Sequence, residues 1–321
     1  MKLSIITITR NNATGLARTL ASTFGAQPGF NDWEQIVVDG ASTDGSLALL
    51  DKWKDNPHLG WHVSEPDTGI YNAMNKGAAH ARGDYLLFLN SGDELLHDSL
   101  AKVFSEEWKA DLAYGDIVVS QNGMPVRTRI VETPEEIVPA YFLFQTLPHQ
   151  ATLISRRLHL QQGGYDESLR IVADVKFFFN CILERPAVSI RKIPFAFSAF
   201  DQNGISSSPG RQTELRTEWA SIVAPVFGRF AAQRAQFPPT NQPWIRRDVA
   251  ERAMQDAELS NALRRSSTAV SALWGIPPLR FAIRTIGRTA SLLRRCILRF
   301  RQSPQPTSPA LVTPLPPEST P

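Results

Sequence analysis

Three short apolar runs, each cut off by a cluster of small polar residues, constrain this chain more than any other feature. Residues 3–8 (LSIITI) break at Thr9-Arg10-Asn11-Asn12. Residues 35–38 close on Asp39 and then Gly-Ala-Ser-Thr-Asp-Gly, and residues 85–89 (YLLFL) close on Asn90-Ser91-Gly92-Asp93. Each run is too short for a buried helix and is bounded by turn residues, so each is predicted to be a buried strand. Helical patterns at 15–23, 46–53 and 70–81 lie between and around them. Strand alternating with helix predicts a parallel sheet with helices on its faces. Ligands of such sheets bind outside the carboxyl ends of the strands, where all three polar clusters would sit.

The bulk properties narrow the options. A chain of 321 residues with 42% hydrophobic and 20% charged residues has the make-up of a soluble globular protein, one large domain plus an appendage. Two cysteines, Cys181 and Cys296, make a disulfide framework unexpected and suit a reducing compartment. No apolar run reaches the roughly 18 residues of a membrane span. The chain opens directly into a strand, so no signal peptide is expected and the cytoplasm is the expected location. The net charge of +3 conceals an asymmetry: after Glu258 there are nine arginines and one acid, Glu318, a charge of +8 that leaves −5 for residues 1–258. A basic appendage of this kind points to an anionic partner.

Further along, residues 111–119 (DLAYGDIVV) read as a strand interrupted by Gly115, and Asn122-Gly123 as a turn able to close a hairpin. A β-rich run at 150–154 leads into a polar segment and then Gly163-Gly164-Tyr165-Asp166-Glu167. Residues 171–183 are helix-like and contain Ala173-Asp174 near their start, 188–199 are strand-like, and 210–262 alternate helical patterns with Pro-rich breaks. Residues 279–301 form one basic amphipathic pattern, and the last twenty residues have a Pro/Ser/Thr composition that predicts disorder. The expected organisation is a sheet domain over 1–205, a helical extension over 206–262, a basic helical segment over 263–301 and a tail over 302–321. There is no internal repeat.

The first two hundred residues resemble the family 2 glycosyltransferases. Ser4-Ile5-Ile6-Thr7-Ile8-Thr9-Arg10-Asn11 is similar to the family's opening strand and Pro-Thr-Tyr-Asn turn, with Ile8 for Pro and Arg10 for Tyr. Val37-Val38-Asp39-Gly40-Ala41-Ser42-Thr43-Asp44-Gly45-Ser46 resembles its Val-Val-Asp-Asp-Gly-Ser-Thr-Asp-Gly segment. Asn75-Lys76-Gly77 and Ala81-Arg82-Gly83-Asp84-Tyr85 match its Asn-x-Gly and Ala-x-Gly-Asp-Tyr pattern, and Phe88-Leu89-Asn90-Ser91-Gly92-Asp93 takes the place of Phe-Leu-Asp-x-Asp-Asp. Glu65-Pro66-Asp67-Thr68-Gly69-Ile70-Tyr71 and His149-Gln150 are similar to a bacterial polysaccharide-building branch, of the exopolysaccharide or colanic-acid type. The resemblance implies the GT-A fold, a Rossmann-like α/β, mostly parallel mixed sheet with helices on both faces. It also implies a nucleotide-sugar donor and a carbohydrate or lipid-linked acceptor.

The resemblance then assigns roles, each beside a plainer alternative. Asp39 would accept a hydrogen bond from a nucleobase N–H; otherwise it is a turn aspartate, although Ser42 and Asp44 are better placed to cap the helix after Gly45. Thr9 and Asn11 would line the nucleoside pocket, Thr9 being otherwise a strand-end hydroxyl. Asp67 either contacts the nucleotide or caps a helix. His149 either hydrogen-bonds phosphate or acceptor, or is structural. Asn90 and Asp93 would face the sugar diphosphate, with Asp93 the main ligand of a Mg²⁺ or Mn²⁺ ion, since Asn90 and Gly92 replace family acids; alternatively Asp93 caps a helix starting near Glu94. Asp174 would be the catalytic base, in the place of the Asp of a Glu-Asp pair whose Glu is here Ala173, or else a helix-start aspartate meeting the dipole. Lys76 and Arg82 read as solvated helix residues and Phe177-Phe178-Phe179 as core.

These assignments lead to an inverting hexosyltransferase of bacterial surface polysaccharide synthesis. A nucleotidyltransferase on a similar sheet is a second reading, but no Gly-rich loop follows the first strand; a non-catalytic sugar- or partner-binding protein is a third. In the appendage, Arg280, Arg284, Arg288, Arg294, Arg295, Arg299 and Arg301 fall on one arc of roughly 160° of a helix, opposite Leu279, Ile286, Leu293, Ile297 and Phe300. That is the pattern of a helix lying in an anionic membrane surface, which would put the enzyme on the inner face of the cytoplasmic membrane; packing on the acidic domain is the alternative. No aromatic platform accompanies the arginines, so nucleic acid is not an expected partner.

Overall fold

The computed structural model describes residues 1–227 except 122, 132, 134–136, 138, 144, 185–186 and 205–208. The expected basic helix at 279–301 and the tail lie outside the described residues. The compact unit that holds every described element runs Met1–Glu258.

The chain begins β1 (Leu3–Thr9), α1 (Ala13–Phe24), β2 (Trp33–Asp39), α2 (Ser46–Trp53), β3 (Leu59–Ser64), α3 (Ile70–His80) and β4 (Tyr85–Phe88). It continues β5 (Glu94–Leu95), α4 (Ser99–Val103), β6 (Leu112–Gln121), β7 (Met124–Val131), β8 (Thr152–Ser155), α5 (Arg156–Gln161), α6 (Ala173–Leu183), β9 (Ile190–Asp201) and α7 (Gln212–Phe227). The strands form a single sheet in the order β3-β2-β1-β4-β8-β6-β9-β5, with β7 on β6. β1, β2, β3 and β4 are mutually parallel, as are β6 and β9. β8 runs antiparallel to both β4 and β6, so the sheet is mixed. The predicted hairpin at Gly123 joins β6 to β7, with Gln121 opposite Met124 and Gly123 at φ +76°.

Every residue of β1 and β2 is buried because both faces of the sheet are covered. Ile6 and Ile8 point to the face packed by α3 and α6, whereas Leu3 and Ile5 point to the face shared with Trp108 and Leu100. This explains the continuous apolar runs: a strand with a single dry face would alternate. The helix α3 packs especially close, since a Cβ on Gly77 would stand 2.6 Å from Ile6 Cγ2. Phe177, Phe178 and Phe179 are buried as expected. Trp219, Val223 and Phe227 of α7 belong to the same apolar cluster, and the Trp219 indole N–H donates to the carbonyl of Phe142 at 2.6 Å.

Three elements depart from the sequence reading. β3 sits at the sheet edge with alternate residues half-buried, so its Leu59, Trp61 and Val63 carry a period-2 pattern that Gly60 and His62 dilute. The polar segment after β8 is the helix α5, started by Ser155 Oγ accepting from Leu158 N. No helix starts near Glu94: the chain there forms β5 against β9, and the next helix begins at Ser99. Among the described residues no helix is long and apolar enough to cross a membrane.

Candidate active site

The ends of β2, β1 and β4, neighbours in the sheet, place Asp39, Thr9 and Asn90 side by side. Thr9 and Asp39 are register partners, and the amide of Gly40 donates to the carbonyl of Thr9. Pairing with β1 continues past β4, as Leu89 N donates to Ile6 O and Ser91 N to Ile8 O. This carries Asn90 to the same rim.

Local hydrogen bonds give several of these residues partners within the protein. Asp39 is fully buried; its Oδ2 accepts from Ser42 N at 2.9 Å and Ser64 Oγ at 2.6 Å, while its Oδ1 has no partner. It therefore makes the turn contact and still presents an oxygen. Thr9 Oγ1 and Asn90 Oδ1 are likewise buried without partners. Asn11 adopts the left-handed conformation, φ +50°, that asparagine tolerates. Its side-chain oxygen accepts from Thr43 N, so it ties two loops together. Ser42 Oγ accepts from Asn11 N rather than capping α2. Asp44 does act at α2, accepting from Ser46 N, and also reaches Ala13 N at the start of α1, which Asn12 caps through Gly15 N. Asp67 accepts from Gly69 N ahead of α3, and its other oxygen lies against Gly40, where a Cβ would collide with it.

A second group converges beside Asn90. The Asn90 side-chain amide lies 3.3 Å from His149 Nε2, and His149 Nδ1 lies 3.3 Å from Asp174 Oδ2. The Tyr71 hydroxyl, from the first turn of α3, is 2.9 Å from Asp174 Oδ1 and 2.7 Å from the carbonyl of Ile171. Asp174 itself opens α6. The His149 and Asp174 side chains keep 18% and 12% of their surface accessible, enough for a ligand to touch both. Asp93 is buried. Its Oδ1 accepts from Asp201 N at 2.9 Å and its Oδ2 faces Gln150 Nε2 at 3.5 Å. Nearby, Arg18 is ion-paired with Asp201 and Glu94.

Burial, reinforced by the Asp201 charge, raises the Asp93 carboxyl to about 7 against the opposing pull of His149 and its hydrogen bonds. Burial would lower His149, but the hydrogen bond and charge of Asp174, with the charge of Asp93, outweigh it and raise the imidazole. Burial and Asp174 push Tyr71 well above the phenol range, so it stays a donor. Among the described residues no three His, Cys, Asp or Glu side chains converge to hold a metal ion. Tyr71, Gln150, Asp201 and Thr19, whose hydroxyl donates to the carbonyl of Asp93 and accepts from Gly92 N, were not legible as site residues. Of these Tyr71 and Gln150 lay in quoted motifs.

A mixed sheet with a polar rim at the ends of β2, β1 and β4, and a carboxylate opening a helix beside it, is the architecture of the GT-A fold. The chain belongs to glycosyl transferase family 2, whose family model matches residues 4–160. It is 34% identical over 207 residues to an uncharacterized glycosyltransferase of Mycobacterium tuberculosis, covering 64% of this chain and 77% of that one. It is 31% identical over 208 residues to a PGL/p-HBAD biosynthesis glycosyltransferase of Mycobacterium bovis, covering 63% and 77%. Among solved structures it shares the fold of S. aureus TarS 1-349 in complex with UDP-GlcNAc, with TM-score 0.55, 19% identity and 80% of each chain covered.

Proposed function

We propose that the protein transfers a hexose, with inversion, from a nucleotide sugar to a hydroxyl of a carbohydrate or lipid-linked acceptor in surface polysaccharide synthesis. One observation carries the reading: Asp39 Oδ1, Thr9 Oγ1 and Asn90 Oδ1 are buried oxygens without protein partners, on three adjacent strand ends. A buried acceptor left unpaired costs about 1–3 kcal/mol, and a donor ligand removes that cost. Asp39 would take the imide or amide N–H of the nucleobase, Thr9 would line the nucleoside, and Asp67 would approach it across Gly40. Asn90 and Asp93 would face the diphosphate. Their oxygens suit a Mg²⁺ or Mn²⁺ ion carried in on the phosphates, because such ions bind through one or two protein groups plus phosphate and water, and the raised Asp93 carboxyl gains from a positive neighbour. That ion, when bound, neutralises charge on the departing diphosphate.

Asp174 is the base. An acceptor hydroxyl held against it loses its proton to the carboxylate as the oxygen attacks the anomeric carbon. The bond from that carbon to the diphosphate oxygen breaks from the opposite side, releasing the nucleoside diphosphate and inverting the centre. Family membership favours this chemistry over nucleotidyl transfer.

Calorimetry with UDP, GDP and dTDP, each with and without Mn²⁺, tests the donor site. For the nucleotide that binds, Asp39→Ala is expected to weaken affinity about tenfold or more with or without metal, as loss of a hydrogen bond to a charged acceptor costs about 1.5–3 kcal/mol. Asp93→Ala should weaken only the Mn²⁺-dependent part. Parent-like binding by both variants would show the site to be misplaced.

The basic segment 279–301 supports a further part of the proposal, attachment to the inner face of the cytoplasmic membrane, where a lipid-linked acceptor would reside. The full chain should float with anionic vesicles, less at high salt, and a chain ending near residue 275 should not. Equal flotation of the two would sink this part.

A further inference from the structure

The turn His149–Ala151 reaches both halves of the site. His149 meets Asn90 and Asp174, while the next residue, Gln150, faces Asp93. The hydrogen bonds select one neutral tautomer. Asn90 Nδ2 can only donate, so His149 Nε2 accepts from it, which leaves the ring proton on Nδ1 aimed at Asp174 Oδ2. The opposite tautomer would set a nitrogen lone pair against a carboxylate oxygen and a ring N–H against an amide N–H. The amide orientation of Asn90 follows from the same bond: its nitrogen is spent on the imidazole, and its oxygen is the one left without a partner.

A carboxylate on the first turn of a helix is free to rotate about its side chain. Here it is clasped from two sides, by Tyr71 from α3 and by His149 from the turn before β8. We propose that His149 is a positioning residue that locks the Asp174 carboxylate for proton abstraction and, through the same ring, turns the Asn90 oxygen toward the donor. This inference rests on Asp174 being the base. It differs from a direct contact between His149 and phosphate, because the ring nitrogen facing away from Asp174 is occupied by Asn90.

The two amide replacements of histidine separate these roles. Asparagine sets its N–H near the place of Nδ1, and glutamine near that of Nε2. The reaction followed is nucleoside diphosphate release from whichever UDP-, GDP- or dTDP-hexose the parent turns over, with water or an added acceptor. His149→Ala is expected to lower kcat about 10²-fold, the low end of the worth of a positioned base, with nucleoside diphosphate affinity within threefold of the parent. His149→Asn should recover most of that loss and His149→Gln little of it. Nitrogen-15 NMR of the parent imidazole should show the Nδ1–H tautomer once the pH is high enough to keep the ring neutral, since Asp174 and Asp93 raise its titration. Rescue by glutamine but not asparagine, or a fall in affinity at unchanged kcat, would overturn the inference in favour of phosphate contact. Parent-like His149 variants beside a silent Asp174→Asn would overturn it while leaving the base reading intact, whereas an active Asp174→Asn would remove the base reading itself. Retained nucleotide affinity shows that a silent variant is folded.

Discussion

Asp174→Asn is expected to lower turnover by about 10²- to 10⁴-fold, the usual worth of a positioned general base, while leaving nucleoside diphosphate affinity near that of the parent. The substitution keeps size and shape. Its amide oxygen can still accept from Tyr71 or His149, so the first turn of α6 has no reason to move. An amide cannot take a proton at neutral pH, and the acceptor hydroxyl then has no base within reach of the anomeric centre. Single-turnover transfer, with affinity measured separately, checks this. Turnover within a factor of a few of the parent would remove Asp174 from the chemistry.

Stability should respond to His159 through acid. This residue of α5 is buried among aromatic rings, with centroids 5.5 Å from Phe88, 5.4 Å from Tyr165 and 5.6 Å from Phe177, and its Nε2 has no partner. Burial drops its pKa to about 4 from 6.5. The folded protein therefore keeps it neutral where the unfolded chain protonates it. Between about pH 6.5 and 4 the unfolded state binds more protons, so stability falls as pH falls through that window. A shift of this size corresponds to roughly 3 kcal/mol at 1.36 kcal/mol per unit. Asp93 acts with the opposite sign: its raised folded value makes the folded state the better proton binder between about 7 and 4, which adds stability as pH falls. The two effects offset each other in the parent, so the comparison with His159→Phe is the informative one. The variant should gain on the parent steadily from pH 6.5 to 4 in urea midpoints. Parallel curves for the two proteins would exclude His159 as the titrating group.

Legibility from sequence followed burial. β1, β2 and β4 were readable because strands buried on both faces must be apolar throughout and must stop where polar turns begin. β3 is an edge strand, so its pattern is diluted, and α5 carries polar residues on a short, one-sided helix; neither offers a run. The site divides in the same way. Asp39, Asn90, Asp93 and Asp174 stood out as carboxylates and an amide at element ends, within motifs that resemble a family. Tyr71, Gln150 and Asp201 did not, because each acts across 57 to 108 residues of chain, and a side chain that works through a distant partner leaves no local spacing to read.

The sequence alone determined that strands and helices alternate, that their polar ends share one rim, and that a helix-opening aspartate follows a Gly-Gly turn. Those are local consequences of periodicity, turn chemistry and strand-end placement. Only the tertiary structure decided that β8 runs against its neighbours and that Asp93 takes the amide of Asp201 instead of capping a helix. It also decided that Asn90, His149, Asp174 and Tyr71 form one hydrogen-bonded line. The reason is that partner choice for a buried polar atom depends on which distant element closes over it, and chain packing sets that.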